Sequence, residues 1–303
     1  MSGSITKVAI AGATGNIGQF VLKHLLAANF SVTALTRSGS NNSFPESVTV
    51  KEVDYDSLDS LTAALQGQDA VVATLAGHVL PKQLLLIEAA AAAGVKRFLP
   101  SEFGSDTTNP KVTALPLHKP KLGVLNALKQ KAAEGELSYT SVISGPFLEF
   151  GLEANFLLDF QNRHATLYDG GERLFSVSTM DDVGKSVVGV LQHPEETKNK
   201  EVFVQSTATS LKGLLETAKK VTKGGKEWTS EVVKVDDVLA EGWAELKKEK
   251  PDPAIFVGKF LAAVIAGEGY GNHFKREGLD NDLLGIKEMT EEEVEALIAK
   301  YVV

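Results

Sequence analysis

The sequence of 303 residues contains no cysteine, which excludes disulfides, thiolate nucleophiles and cysteine-held zinc or iron–sulfur centres. Aromatic residues make up only 7% and there are two tryptophans. Basic charge is also scarce: the net charge of −8 argues against nucleic acid as a partner, because phosphate-backbone binding needs a concentrated basic face. The densest cationic stretch, Lys219, Lys220, Lys223 and Lys226, has the spacing of a solvated helix face. No apolar run is long enough for a membrane span; the longest, residues 84–95, carries Glu88. The opening stretch has no apolar signal core, so a cytoplasmic protein is expected.

Other absences bear on chemistry. The six histidines (24, 78, 118, 164, 193 and 273) form no HxH or HxxxH pair, so no metal centre is expected. None of the five tyrosines has a lysine four residues on, so the Tyr-x-x-x-Lys pair of many short-chain dehydrogenases is missing. There is no Gly-x-Ser-x-Gly elbow, which weakens a hydrolase reading. The absent Tyr-x-x-x-Lys pair also disfavours a sugar-nucleotide epimerase or dehydratase.

What is present is a regular alternation. Apolar, β-rich runs at residues 8–11, 31–36, 48–53, 70–74, 97–99 and 139–143 alternate with helical segments at 17–28, 58–65, 81–93 and 119–134. Continuous apolar strands separated by helices predict a doubly wound parallel α/β sheet of the Rossmann type. Beyond residue 145 the pattern loosens. Residues 169–172 read as a hairpin turn, 201–205 as a strand, and 183–191 as a helix capped near Thr179. Helical segments at 211–221, 238–249 and 255–266 follow, and Thr290 caps a last helix that opens on Glu291, Glu292 and Glu293. This predicts a cofactor domain over residues 1–150 and a smaller, mostly helical substrate lobe over 151–303. The two interleave, with part of 173–205 adding to the first.

The clearest motif is Gly12-Ala13-Thr14-Gly15-Asn16-Ile17-Gly18, directly after the first strand and opening the first helix. Gly12 permits a tight turn, Gly15 lets backbone approach a pyrophosphate, and Gly18 allows close helix–strand packing. The helix N-terminus supplies oriented N–H donors, to which Thr14, Asn16 and Ile17 belong by position. An NAD site places a carboxylate near the end of the second strand, but here Thr36-Arg37-Ser38 stands, with no acidic residue until Glu46. Arg37 suits a 2′-phosphate, Thr36 and Ser38 add hydroxyls, and NADPH is the expected cofactor. Thr74 and Gly77, after the fourth strand, are expected to border it. Asp54 is either an adenine neighbour or a surface carboxylate.

Further residues gain meaning from a resemblance. The glycine turn, Arg37, Pro100-Ser101-Glu102-Phe103-Gly104, Lys121-x-x-Val124, Ser144-Gly145-Pro146-Phe147 and Asp181-Asp182-Val183-Gly184 resemble the NmrA-like, isoflavone reductase-like group of atypical short-chain reductases, which includes phenylcoumaran benzylic ether reductases. The resemblance spans nearly the whole chain. It implies an NADPH-dependent reductase acting on a small, aromatic or conjugated substrate, with Lys121 at the nicotinamide ribose assisting proton transfer. Lys119 is its rival, separated by Pro120. The resemblance also places Phe147 near the nicotinamide, with core packing as the alternative; Ser101, Glu102 and Phe103 position substrate or stabilise their loop. Leu125-Asn126-Ala127 stands where plant members carry paired arginines, and Gly145-Pro146-Phe147 differs from the plant Asn-Cys-Phe pattern. The chain is in this respect more similar to fungal or bacterial members. The second reading is a non-catalytic NmrA-type regulator that senses NADP(H) and binds a protein partner.

Overall fold

The computed structural model describes residues 4–275 and 278–302; residues 1–3 of the opening stretch, 276–277 and 303 lie outside the described residues. In chain order the elements are β1 (Lys7–Ala11), α1 (Gly18–Ala27), β2 (Ser31–Arg37), β3 (Thr49–Val53), α2 (Leu58–Leu65), β4 (Ala70–Ala73), α3 (Lys82–Ala92) and β5 (Arg97–Leu99). Then come α4 (Pro110–Thr113), α5 (Lys119–Ala133), β6 (Ser138–Ile143), α6 (Leu148–Glu153), β7 (His164–Tyr168), β8 (Phe175–Val177), α7 (Met180–Gln192) and β9 (Lys200–Phe203). The chain closes with β10 (Thr207–Thr209), α8 (Leu211–Val221), β11 (Thr229–Val233), α9 (Val235–Leu246), α10 (Pro253–Ala266), α11 (Asn281–Leu284) and α12 (Glu291–Ala299).

Seven strands form one parallel sheet in the order β3-β2-β1-β4-β5-β6-β9. Its two faces follow from side-chain alternation. Val8 and Ile10 pack in a core with α1 and α7, whereas Ala9 and Ala11 face the other way, into a core with α2, α3 and α5. The doubly wound architecture is therefore as the sequence implies. α7 and β9 return to this sheet after the chain has left it: β9 pairs with β6, and α7 packs on α1 so closely that a Cβ on Gly184 would meet the Phe20 carbonyl oxygen at 2.8 Å.

The remaining elements build a lobe with its own cores. One gathers residues of α6, β7, β8, α8, α10 and α12, and a second joins Val112 and Leu115 to Phe260, Val264 and Tyr270. Two expectations change here. The turn at residues 169–172 exists, with positive φ at Asp169, Gly170 and Gly171, but it closes no hairpin. β7 pairs in parallel with β11, and β8 pairs antiparallel with β10, so the flanking strands leave in different sheets. β11 itself lies between two expected helices, in a stretch where no strand was expected. Its Thr-Ser-Glu-Val-Val run is largely exposed and lacks the apolar alternation that marks a half-buried strand.

At the edge of the sheet opposite the strand C-termini, the Asp69 carboxylate accepts the N–H groups of Thr6 and Lys7, each at 2.9 Å, and pairs with the Lys96 ammonium at 2.8 Å. Burial raises this carboxyl, but the Lys96, Thr6 and Lys7 hydrogen bonds outweigh it and hold the pKa down to about 2. A depressed carboxylate contributes stability above its unfolded value of about 3.9, and the contribution is lost as pH falls toward the folded value. Asp69→Ala is expected to lower stability on the order of 1 kcal/mol at neutral pH. Urea unfolding should show that gap closing as the solution is acidified toward the folded value.

Candidate active site

The C-terminal ends of the sheet strands lie along one edge, and strand order reverses between β1 and β4. Chains diverge at such a switch point and leave a crevice, the usual ligand position in open α/β sheets. β1 ends there on the glycine turn. Gly12 has φ +92°, and a Cβ on it would lie 2.9 Å from both the carbonyl and the hydroxyl oxygen of Thr74. A Cβ on Gly18 would lie 2.0 Å from the Gly12 carbonyl oxygen. The Thr74 hydroxyl donates to Ala11 and Gly12 carbonyls at 3.0 and 2.9 Å, which ties the turn to the end of β4. Ile17 is buried beneath the turn, while Thr14 and Asn16 are exposed on it. Gly15 donates its N–H to the Gly12 carbonyl at 3.0 Å and stays half-buried.

This is a cradle that side chains would fill. Gly18→Ala is expected to lower stability by about 1–3 kcal/mol, because α1 must move off the turn to admit the methyl group. Thermal unfolding checks it; an unchanged midpoint would mean that the helix does not rest on Gly12.

One strand over, Thr36 is buried and Arg37 and Ser38 are exposed at the end of β2, which pairs in register with β1. Arg37 is close enough to Tyr55 to act on its phenol: burial pushes the Tyr55 pKa up to about 12, and the guanidinium opposes the shift. Gly77, with φ +57°, opens a short 3-10 turn after β4. Asp54 is exposed just beyond β3 and accepts the Asp56 N–H at 2.9 Å.

On the other side of the switch point, the loop after β5 holds a buried polar cluster. Ser101 is engaged twice: its hydroxyl accepts the Leu75 N–H and its N–H donates to the Gln83 side-chain oxygen, each at 2.8 Å. It thereby joins the loops after β4 and β5. Phe103 is buried in the sheet core on the α1 and α7 side. Glu102 is only 1% exposed; its carboxyl accepts the Thr107 hydroxyl at 2.9 Å, and its backbone carbonyl accepts from the Lys121 ammonium. Burial pushes the Glu102 carboxyl up, against the opposing Lys121 charge and the Thr107 hydrogen bond. Burial also pulls the Lys121 ammonium down, against Glu102.

α5 begins at Lys119, as the sequence indicates, with Pro120 in its first turn, where a missing N–H leaves no helical hydrogen bond unmade. Both candidate lysines thus lie in the first turn, Lys119 exposed and Lys121 directed into the Glu102 cluster. Phe147 is half-buried against the sheet core, just after Gly145, whose φ of +65° and approach to the Ser176 carbonyl leave no room for a Cβ.

Two neighbours escaped sequence reasoning. Thr107 carries no motif. His118 sits one helical turn before Lys121; it is 2% exposed, and among the described residues neither of its ring nitrogens has a hydrogen-bond partner. Desolvation, and then the Lys121 charge, pull its pKa down to about 3, so the ring is neutral. Its three-residue offset from Lys121 was the available signal, because residues so spaced share a helix face.

Sheet order, glycine turn and helix N-terminus together define a dinucleotide-binding protein of the Rossmann type. The chain belongs to the NmrA-like family, whose model matches residues 4–244. It is 33% identical over 301 residues to the oxidoreductase aprR of Aspergillus flavus, covering 97% of this chain and 99% of that one. It is 30% identical over 226 residues to the phenylcoumaran benzylic ether reductase PT1 of Pinus taeda, covering 69% and 72%. Among solved structures, the leucoanthocyanidin reductase–NADPH binary complex from Vitis vinifera superposes with a TM-score of 0.76 at 21% identity, covering 98% of this chain and 99% of that one, a likeness of fold. With an oxidoreductase relative aligned along nearly its full length, the chain is an oxidoreductase.

Proposed function

We propose that the protein is an NADPH-dependent reductase that delivers hydride to a small aromatic or conjugated acceptor, with Lys121 handling the balancing proton. The observation that carries this reading is the placement of two cations at one sheet edge. Arg37 is exposed beside the glycine turn, and the half-buried Lys121 lies across the switch point. The first suits a 2′-phosphate and the second suits reaction chemistry. The NADPH named with the leucoanthocyanidin reductase neighbour agrees with the cofactor assignment.

Bound NADPH supplies the hydride. The protein's own residues do the rest. Backbone around Gly12, Gly15 and Gly18 holds the diphosphate at the N-terminus of α1, where the unpaired N–H groups and helix dipole favour anions. Arg37, with Thr36 and Ser38 beside it, engages the 2′-phosphate through charge-assisted bonds. Thr74 fixes the shape of the turn, Gly77 leaves the adjoining backbone open, and Phe147 packs toward the nicotinamide end. Glu102 and Thr107 hold Lys121 in place. The lysine's lowered pKa brings its proton affinity toward the range that general acid catalysis needs.

An NADP(H)-sensing regulator would need the same cofactor half but no half-buried cation beside the acceptor side of the crevice, so Lys121 favours the enzyme. Stopped-flow oxidation of NADPH against enones, quinones and aryl ethers tests the choice. Turnover with one of these classes is expected. Tight NADPH binding with no turnover across all of them would favour the sensor.

A further inference from the structure

The geometry points to His118 as a second substrate-contacting residue, one that donates a hydrogen bond from its ring N–H to the oxygen of a conjugated carbonyl acceptor. This assignment rests on the reductase reading and narrows its substrate class, from any electrophilic carbon to one conjugated with an oxygen that gains charge.

Three observations carry it. The first is location. His118 closes the 3-10 turn Pro116–His118 and immediately precedes α5, at the loop-rich C-terminal edge of β5. The segment leading to it packs on the lobe through Val112 and Leu115, against Phe260, Val264 and Tyr270. His118 therefore lies where the sheet domain and the lobe meet, the customary place for a small-molecule pocket.

The second is its neighbour. Lys121 is one helical turn further along the same face and interacts electrostatically with the imidazole, so both polar groups converge on one region. The third is its unmet hydrogen-bonding capacity. A neutral imidazole has one donor and one acceptor nitrogen. His118 is almost wholly buried, yet among the described residues neither nitrogen is engaged, whereas Glu102, Thr107, Ser101 and Gln83 around the same loop all are. Buried polar groups are rarely left so unless they serve a ligand or a mechanism.

The step balances with these groups. Hydride, a proton with two electrons, passes from bound NADPH to the acceptor's electrophilic carbon, and the π pair of the conjugated system moves onto the oxygen. His118 donates a hydrogen bond to that oxygen without giving up its proton. Lys121 transfers a proton to the reduced acceptor, becomes an amine, and regains a proton from solvent; NADP+ is released. A donor fixed in advance at a developing oxyanion stabilises the transition state more than the ground state.

The test compares His118→Leu and His118→Gln with wild type, using menadione and benzylideneacetone as acceptors, and adds thermal unfolding of each protein without ligand. Leucine should lower kcat by about a hundredfold, with the KM for NADPH unchanged. Glutamine, which restores a donor, should recover most of that loss. Without ligand the leucine variant should unfold at the same or a higher temperature, because it removes a buried, unengaged polar group. A leucine variant within about threefold of wild-type kcat, or one whose activity and unfolding temperature fall together, overturns the role of His118. Wild-type protein that binds NADPH but reduces neither acceptor overturns the carbonyl assignment. If enones, quinones and aryl ethers all fail as well, the reductase reading falls with it.

Discussion

Arg37→Ala is expected to weaken NADPH binding by roughly tenfold to a hundredfold while changing NADH binding by no more than about twofold. The expectation follows from charge-assisted hydrogen bonds, each worth about 1.5–3 kcal/mol, which only the 2′-phosphate can accept. Arg37 stands exposed at the end of β2, where no carboxylate is available to hold a free ribose 2′-hydroxyl. Its loss should therefore act on the phosphate and little else. Titration of both nucleotides against wild type and variant decides the matter. Equal losses for the two would place Arg37 outside the phosphate site.

Lys121→Met should lower turnover by about a hundredfold to ten-thousandfold, the range that a general acid or base contributes. Cofactor affinity should stay within a few-fold, because methionine keeps the apolar stem and removes only the ammonium. The same lysine sets a pH dependence. Burial lowers its pKa, so the protonated, active form is lost as pH rises, at values below the ordinary lysine pKa of about 10.4. Glu102 opposes that shift, and Glu102→Gln should move the basic limb of the rate profile further down. A fully active Lys121→Met protein would remove the lysine from the mechanism.

Much of this fold was legible because its signals are local. Apolar strands buried on both faces read as continuous runs, and the helices between them as amphipathic segments; α2, β5 and α8 fall on the expected residues. The glycine turn was legible for a stricter reason. Gly12 and Gly18 sit where any side chain would strike backbone or Thr74. The lobe was harder to read. β11 is an exposed strand whose partner β7 lies more than sixty residues away, and neither its composition nor its period announces that pairing. The turn at 169–172 has the residues of a hairpin, yet strand partnership is decided by tertiary packing on either side of it. His118 shows the same limit at the site. A lone histidine before a proline-containing helix start reads as local punctuation, and only the structure reveals that its buried nitrogens lack partners among the described residues.

Calorimetric titration of the folded protein with NADPH and NADH is the most direct measurement of all. Saturable heat with NADPH, at an affinity well above that for NADH, is the predicted result. No saturation with either nucleotide would contradict the assignment of the glycine turn, and with it every role given to Arg37, Lys121 and His118.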